Sequence, residues 1–418
     1  MWLKRAGLHN MAKRENIVVG LDIGTTKICA IVGEKTDNGV EIIGIGMHPS
    51  KGLRKGVVVN IESTVSSIRS AVEEAERMAG CEINRVYCGI AGGHIKAFNS
   101  HGVIAVKNRE ITPQDVERVI EAAQAVVIPP DREVIHVIAQ EYIVDDQEGI
   151  QEPLGMIGIR LEVKVHIVTA AVTSVQNIVK CANKAGLDVA DIVLQQIASS
   201  EAVLNADEKE IGVVLVDIGG GTTDIALYHN GTIKYTTVIS LGGNQVTGDI
   251  SVGLRTPTSE AEKVKVEYGC AMTALVSKDE ILDVQSVGGG KIRKVSRHTL
   301  CEIIEPRMEE IFDLVKREIM KSGYDVLISS GVVLTGGTAA TEGAAELAEQ
   351  VFDAPVRCGL PEGVSGLVDV VKGPRFSTGV GLVLYGCKHA GAIQFAKGSA
   401  NIFNKLTARM SGWVKEFF

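Results

Sequence analysis

The chain has 418 residues, 45% of them hydrophobic and 22% charged, with a formal net charge of −8. That length exceeds what one hydrophobic core usually holds, so at least two domains are expected, and the acidic balance without a basic, aromatic-interleaved arm argues against nucleic-acid binding. No stretch reaches the roughly 18 consecutive apolar residues of a membrane span, and the eight cysteines show neither a CxxC pair nor ligand spacing with histidine, so they read as small core residues in a reducing compartment.

Residues 1–16 lack the apolar segment of a signal peptide and read as a disordered lead, with Met11 as an alternative start. Ile17–Leu21 is an apolar run that predicts a buried strand, and DIGTTK follows at Asp22–Lys27. A helix is predicted over Glu62–Ala79. The stretch 87–167 holds GIAGGHIKAF, a helix over Thr112–Ala125 opened by Thr112-Pro113, and strands at Val134–Ile138 and Leu161–Val168, which together predict a small inserted α+β subdomain. A helix over Ser174–Ala185 and a connecting helix over Leu194–Leu204 lead to a second apolar run at Ile211–Val216 and to DIGGGTTD at Asp217–Asp224. A second insertion, 248–294, carries a helix over Ser259–Tyr268 and strands near Ile281–Val287. The amphipathic stretch Leu300–Met320 precedes VVLTGGTAATEG at Val332–Gly343, and GVGLVLYG follows at Gly379–Gly386.

The two glycine strings share one form: buried strand, Asp, tight glycine turn, hydroxyl residues, next strand. Glycine admits positive φ and lets backbone N–H groups approach an anion without a Cβ in the way. Thr25, Thr26, Thr222 and Thr223 add hydroxyl donors and Lys27 a positive charge, so Gly24, Gly219, Gly220 and Gly221 with these residues are expected to cradle phosphates. Asp22 and Asp217 would repel a phosphate directly; acidic groups beside such a site hold Mg²⁺ through its waters. Neither string is a Walker loop or a dinucleotide fingerprint.

In five segments the chain resembles the superfamily of actin, sugar kinases and heat-shock chaperone ATPases: DIGTTK and DIGGGTTD as its phosphate turns, VVLTGGTAATEG as its adenosine segment, and LQQIASSEAVL (Leu194–Leu204) and GVGLVLYG (Gly379–Gly386) as its first and second connecting helices. The resemblance implies an α/β fold of two lobes, each a mixed sheet flanked by helices, with inserted subdomains and ATP bound with Mg²⁺ in the cleft. It implies that Gly336, Gly337 and Thr338 line the adenosine pocket. Glu262 and Lys265, one helical turn apart, are candidates for the ribose or base edge, or form a solvated charge pair. Gln196, or its neighbour Gln195, is a candidate to orient a hydrolytic water, with plain packing as the other reading. His94 and His136 read as hydrogen-bonded rather than metal-binding.

Along nearly its whole length, through LDIGTTK, GIAGGHI, GIRLEVKVHIVTA, VDIGGGTTDIALY, LRTPTSEAEKVKVEYGCA and VLTGGTAATEGAAELA, the chain resembles the FtsA family of bacterial cell-division proteins. That implies a first-lobe core of 17–86 and 168–210, the inserted subdomain 87–167, a second-lobe core of 211–247 and 295–386, its subdomain 248–294, a linker 387–400 and a terminal helix 401–418. It also implies self-association into filaments, the tubulin-like protein FtsZ as partner at the Z ring, and a peripheral place on the cytoplasmic face of the inner membrane. The subdomain 87–167 is implied as a docking platform for other division proteins, while hydrolysis of ATP is left open. A pilus-assembly ATPase of the PilM type and a small-metabolite kinase are the competing readings.

The last helix is readable without the family. At helical spacing Ile402, Phe403, Leu406, Met410, Trp413, Val414 and Phe417 share one face, opposite Lys405, Arg409 and Lys415. A helix so built suits the plane of a lipid surface rather than a span; docking on its own core is the alternative.

Overall fold

The computed structural model describes residues 16–287 and 292–394. The lead before Asn16 and the amphipathic residues 402–417 lie outside the described residues.

The two apolar runs build the same unit twice. In the first lobe β1 (Ile17–Ile23), β2 (Lys27–Thr36) and β3 (Gly39–Pro49) form an antiparallel meander. A small hairpin of β4 (Leu53–Arg54) and β5 (Val57–Val58) leads into α1 (Ile61–Ala79), which Asn60 caps by accepting from the Ser63 N–H and Gly80 ends in the left-handed conformation. The chain returns as β6 (Arg85–Ile90), parallel to β1. An insertion follows: β7 (Lys96–Ala105), α2 (Pro113–Gln124), β8 (Arg132–Val144), β9 (Gln147–Ile150) and β10 (Arg160–Ala171). Its antiparallel sheet runs β7-β10-β8-β9 and packs its own core of Val119, Leu161, Val163 and Ile167 under α2. Then come α3 (Val172–Lys184), β11 (Asp188–Leu194) parallel to β6, α4 (Gln195–Val203) and α5 (Ala206–Ile211).

The second lobe repeats the meander in β12 (Val213–Ile218), β13 (Thr223–His229) and β14 (Thr232–Ile239). Helices α6 (Gly243–Gly253) and α7 (Thr258–Tyr268), strands β15 (Ile281–Gln285) and β16 (Ile292–Ser296), and the long α8 (Arg297–Ser322) lead to β17 (Val332–Thr335), parallel to β12. After α9 (Ala344–Phe352) and β18 (Val356–Cys358), the chain crosses back to the first lobe. There β19 (Val364–Gly366) pairs parallel with β3, and the short α10 (Val368–Val371) precedes α11 (Ser377–Gln394). The large sheets run β11-β6-β1-β2-β3-β19 and β14-β13-β12-β17-β18.

The elements run across three of the expected boundaries. Residue 87 falls inside β6, whose buried Tyr87–Ile90 belongs to the first sheet. The span 295–386 is not wholly second-lobe, because β19 covers the edge left open by β3. The linker expected from 387 begins as helix, since α11 continues to Gln394 and Cys387 is buried in it.

Helices α4 and α11 lie between the two sheets. Their core joins Val18 and Ile31 of the first lobe to Leu215 and Val333 of the second through Ala198, Val380 and Leu382. The helices touch so closely that a Cβ on Gly381 would sit 1.8 Å from the Ala198 carbonyl oxygen. Gly381→Ala is therefore expected to lower the melting temperature. The intrinsic helix preference for alanine, about 1 kcal/mol, is outweighed by overpacking against a backbone atom, which costs about 1–3 kcal/mol or more; a thermal melt of the variant that equals or exceeds the parent's would contradict this.

Candidate functional site

The two meanders place their turns at matching positions. Asp22 pairs with Cys29 across β1 and β2, and Asp217 with Asp224 across β12 and β13. In the first turn the Gly24 N–H donates to the Lys27 carbonyl at 3.0 Å; in the second the Gly219 N–H donates to the Thr222 carbonyl at 2.9 Å. The same four-residue turn is thus built once from GTTK and once from GGGT, and Thr223 opens the following strand.

The turns meet across the cleft. A Cβ on Gly220 would lie 1.8 Å from Thr26 Oγ1, and one on Gly221 2.7 Å from Thr25 Oγ1. Thr26 reaches Asn244 of the second lobe at 3.4 Å, and Thr25 Oγ1 accepts from the Gly56 N–H at 3.0 Å. Among the described residues no protein acceptor meets the N–H groups of Thr25, Thr26, Gly220 and Gly221. Unspent amides on glycine-bounded turns are what an anion site requires.

Both carboxylates are buried and held. Asp22, 6% exposed, accepts from Lys27 Nζ at 2.8 Å and from Gln195 Nε2 at 3.2 Å. Burial opposes the Lys27 ammonium, but the Asp22 carboxylate beside it leaves its pKa raised overall. Asp217 accepts from Ser199 Oγ at 2.5 Å and Thr378 Oγ1 at 3.1 Å, so α4 and the first turn of α11 converge on one carboxylate. Burial pushes the Asp217 pKa up, with these hydroxyls working against it. Asp224, 2% exposed, accepts from Thr222 Oγ1 at 2.9 Å while its Oδ1 is buried without a partner; burial, then the nearby Asp217 charge, raises its pKa well above the carboxylate range.

The segment after β17 closes the site from the second lobe. Gly336 takes φ +87°, and a Cβ there would lie 2.4 Å from Asp217 Oδ1. Gly337 sits beside Arg375, whose guanidinium stacks 4.8 Å from the Phe376 ring centroid. Thr338 Oγ1 donates to the Gly219 carbonyl at 3.1 Å. On α7, Lys265 Nζ bonds Glu262 at 2.7 Å, Thr247 Oγ1 at 2.9 Å and the Gly243 carbonyl at 3.2 Å, and Thr247 also donates to Glu262. A Cβ on Gly243 would lie 2.5 Å from Thr338 Oγ1, so α7 and the Gly336–Thr338 segment border the same space. Of the paired glutamines, Gln195 reaches Asp22, whereas buried Gln196 lies within 3.5 Å of the Thr237 carbonyl and leaves its Oε1 without a partner. Sequence reasoning missed Ser199, Thr378 and Arg375; the Ser-Ser pair of LQQIASSEAVL and the polar start of α11 were the available signals.

A family profile for "Cell division protein FtsA" matches residues 214–381, and one for an "SHS2 domain inserted in FTSA" matches residues 92–169. The cell division protein FtsA of Pseudomonas aeruginosa is 57% identical over 371 residues, covering 88% of this chain and 89% of that protein. The chain belongs to the FtsA family. The inserted FtsA domain coincides with the separate β7-β10-β8-β9 sheet. Among solved structures, the PilM-PilN type IV pilus biogenesis complex aligns with a TM-score of 0.66 at 18% identity, covering 88% of this chain and 98% of that one. MreB5 of Spiroplasma citri bound to ADP aligns with a TM-score of 0.54 at 15% identity, covering 92% and 99%. The fold is therefore that of the actin-like ATPases, and this FtsA-family chain is an actin-like cell-division protein. The likeness to PilM concerns the fold alone, so the pilus and kinase readings are set aside. No helix among the described residues is long and apolar enough to cross a membrane.

Proposed function

We propose that this FtsA-family chain binds ATP with Mg²⁺ between its lobes, self-assembles, and holds FtsZ at the cytoplasmic face of the inner membrane through residues 401–418. The observation that carries the nucleotide reading is the meeting of the two glycine turns, with unspent N–H groups beside two buried carboxylates. Gly24, Thr25, Thr26, Lys27 and Gly219–Thr223 would cradle the phosphates, and Asp22 and Asp217 would hold Mg²⁺ through its waters, where the ion supplies charge neutralisation. Gly336, Gly337 and Thr338 would line the adenosine pocket, with Glu262 and Lys265 toward the ribose or base. Gln196 is the residue proposed to orient a water; polymer formation requires ATP binding only.

The lipid contact rests on the face of Ile402, Phe403, Leu406, Met410, Trp413, Val414 and Phe417. Each large side chain buried contributes about 1.5–3 kcal/mol at most, offset by ordering a short helix that is marginal in water. One copy then binds reversibly, and assembly turns many weak anchors into a firm attachment. Deleting residues 401–418 is expected to abolish co-sedimentation with anionic liposomes in the presence of ATP, and an assembly-defective full chain to bind less than the parent. Lipid binding retained after the deletion would sink the tether; equal flotation of the monomeric variant would sink its dependence on assembly.

A further inference from the structure

Strand β14 is the outer strand of the second-lobe sheet, and side chains of the inserted domain take the place of a further strand beside it. Gln140 Nε2 donates to the Ile233 carbonyl at 2.8 Å and Asn99 Nδ2 to the Lys234 carbonyl at 3.2 Å, while Thr232 Oγ1 donates back to the Gln140 carbonyl at 3.2 Å. At the centre lies His166, 1% exposed, with Nδ1 2.7 Å from Asn99 Oδ1 and Nε2 2.8 Å from Thr236 Oγ1. The Asn99 amide nitrogen is spent on Lys234 and on Tyr324 Oη, so its oxygen faces the ring. An acceptor there places the ring proton on Nδ1 and leaves Nε2 to accept from the Thr236 hydroxyl. Each polar atom of the neutral imidazole is satisfied, as a buried polar cluster requires.

The same strand continues into the glycine site. The Thr237 carbonyl lies 3.5 Å from Gln196 Nε2, and Ser240 packs on Gly93, where a Cβ would come 2.7 Å from its Oγ. The Leu241 carbonyl accepts from Thr223 Oγ1 at 3.0 Å. Gly242 leaves no room for a side chain, since a Cβ would lie 2.5 Å from the Gly219 carbonyl oxygen. One short segment is therefore clamped at one end by the inserted domain and at the other by the second glycine turn.

We infer that β14 couples the two: occupancy of the glycine turns by nucleotide is transmitted along β14 to the inserted domain through the Asn99–His166–Thr236 clasp. The inference rests on the nucleotide reading given above. Lobe closure cannot shift the Gly219–Thr223 turn without moving Leu241 and Gly242, and β14 carries that movement to a clasp whose geometry tolerates one arrangement. Coupling of this kind is reciprocal, so weakening the clasp alters nucleotide affinity from a distance.

Thr236→Val keeps the shape of the side chain and removes the hydroxyl; Thr236→Ser keeps the hydroxyl. Hydrogen exchange of the full chain with and without Mg-ATP reads both ends at once. In the parent, ATP is expected to slow exchange at residues 219–223 and also in β7 and β10. In T236V the response at 219–223 persists, the response in β7 and β10 is lost, and ATP affinity falls roughly fivefold or more; T236S behaves as the parent. A parent whose turns respond while β7 and β10 stay unchanged overturns the coupling alone, as does T236V with the parent's full pattern. No response at 219–223 in the parent overturns the nucleotide reading and the coupling with it. Should T236V fail to fold, the parent's turns compared with β7 and β10 decide by themselves.

Discussion

Gly220→Val is expected to abolish retention of ATP while both lobes stay folded. The backbone at Gly220 is not in the left-handed region, so a side chain there meets no left-handed strain. The conflict lies between lobes, with the Thr26 hydroxyl at 1.8 Å and the Thr26 Cβ at 3.1 Å from the added Cβ. A wedge at this point keeps the turns from meeting and fills the cradle that their N–H groups form. The affinity for ATP should fall by about 100-fold, or about 2.7 kcal/mol, with far-ultraviolet circular dichroism unchanged. Calorimetric titration checks the first and spectroscopy the second. Gly220→Ala combined with Thr26→Ala, which removes the struck oxygen, should bind more tightly than Gly220→Val but, lacking one hydroxyl of the cradle, less tightly than the parent. A Gly220→Val protein that binds ATP like the parent would show that the turns do not close on the ligand.

The second large effect is acid sensitivity from His166. Burial holds its pKa down to about 4, against an ordinary 6.5. A histidine depressed in the fold takes up its proton more readily in the unfolded chain. Its contribution is therefore present above pH 6.5 and is lost as pH falls from 6.5 toward 4. Between pH 7 and pH 5 the expected loss is about 2 kcal/mol. Asp217 and Asp224 work in the opposite sense, because their raised pKa values favour the protonated folded state as pH falls. The comparison is thus between the parent and His166→Gln, by urea unfolding at both pH values. The variant should be less stable at pH 7, yet its stability should fall less on acidification. Parallel pH dependences would show that His166 titrates normally.

The glycine turns were legible because a strand, an acid, glycines and threonines occur in that order twice, and each time the chain makes a tight turn into an antiparallel strand. The helix over Ile61–Ala79 was likewise visible from its apolar spacing, and the connecting helix from the resemblance. What the sequence hid was long-range. Nothing in Val364–Gly366 announces that this short strand crosses back to pair with β3, because that pairing depends on an open edge more than 300 residues earlier. The holders of Asp217 come from two helices brought together by the Gly381 crossing, so the polar residues Ser199 and Thr378 stand out locally but their meeting on one carboxylate does not. Glu262 and Lys265 pair with each other, as one reading had it, but Lys265 is largely buried against Gly243 and Thr247 rather than solvated. Asp224 was the one overlooked letter of DIGGGTTD. Its counterpart in the first turn is Cys29, so the repeat itself marked the position as a departure.

Helix α11 begins with the Thr378 hydroxyl on Asp217 and runs without interruption to Gln394. Its 18 residues make a rod about 27 Å long. A tilt of about 5° at its first turn would swing its far end by about 2 Å, since a rigid arm magnifies an angle in proportion to its length. Gln394 therefore stands at the far end of one unbroken rod from the hydroxyl that holds Asp217, so a rotation of the helix about that contact would be largest there.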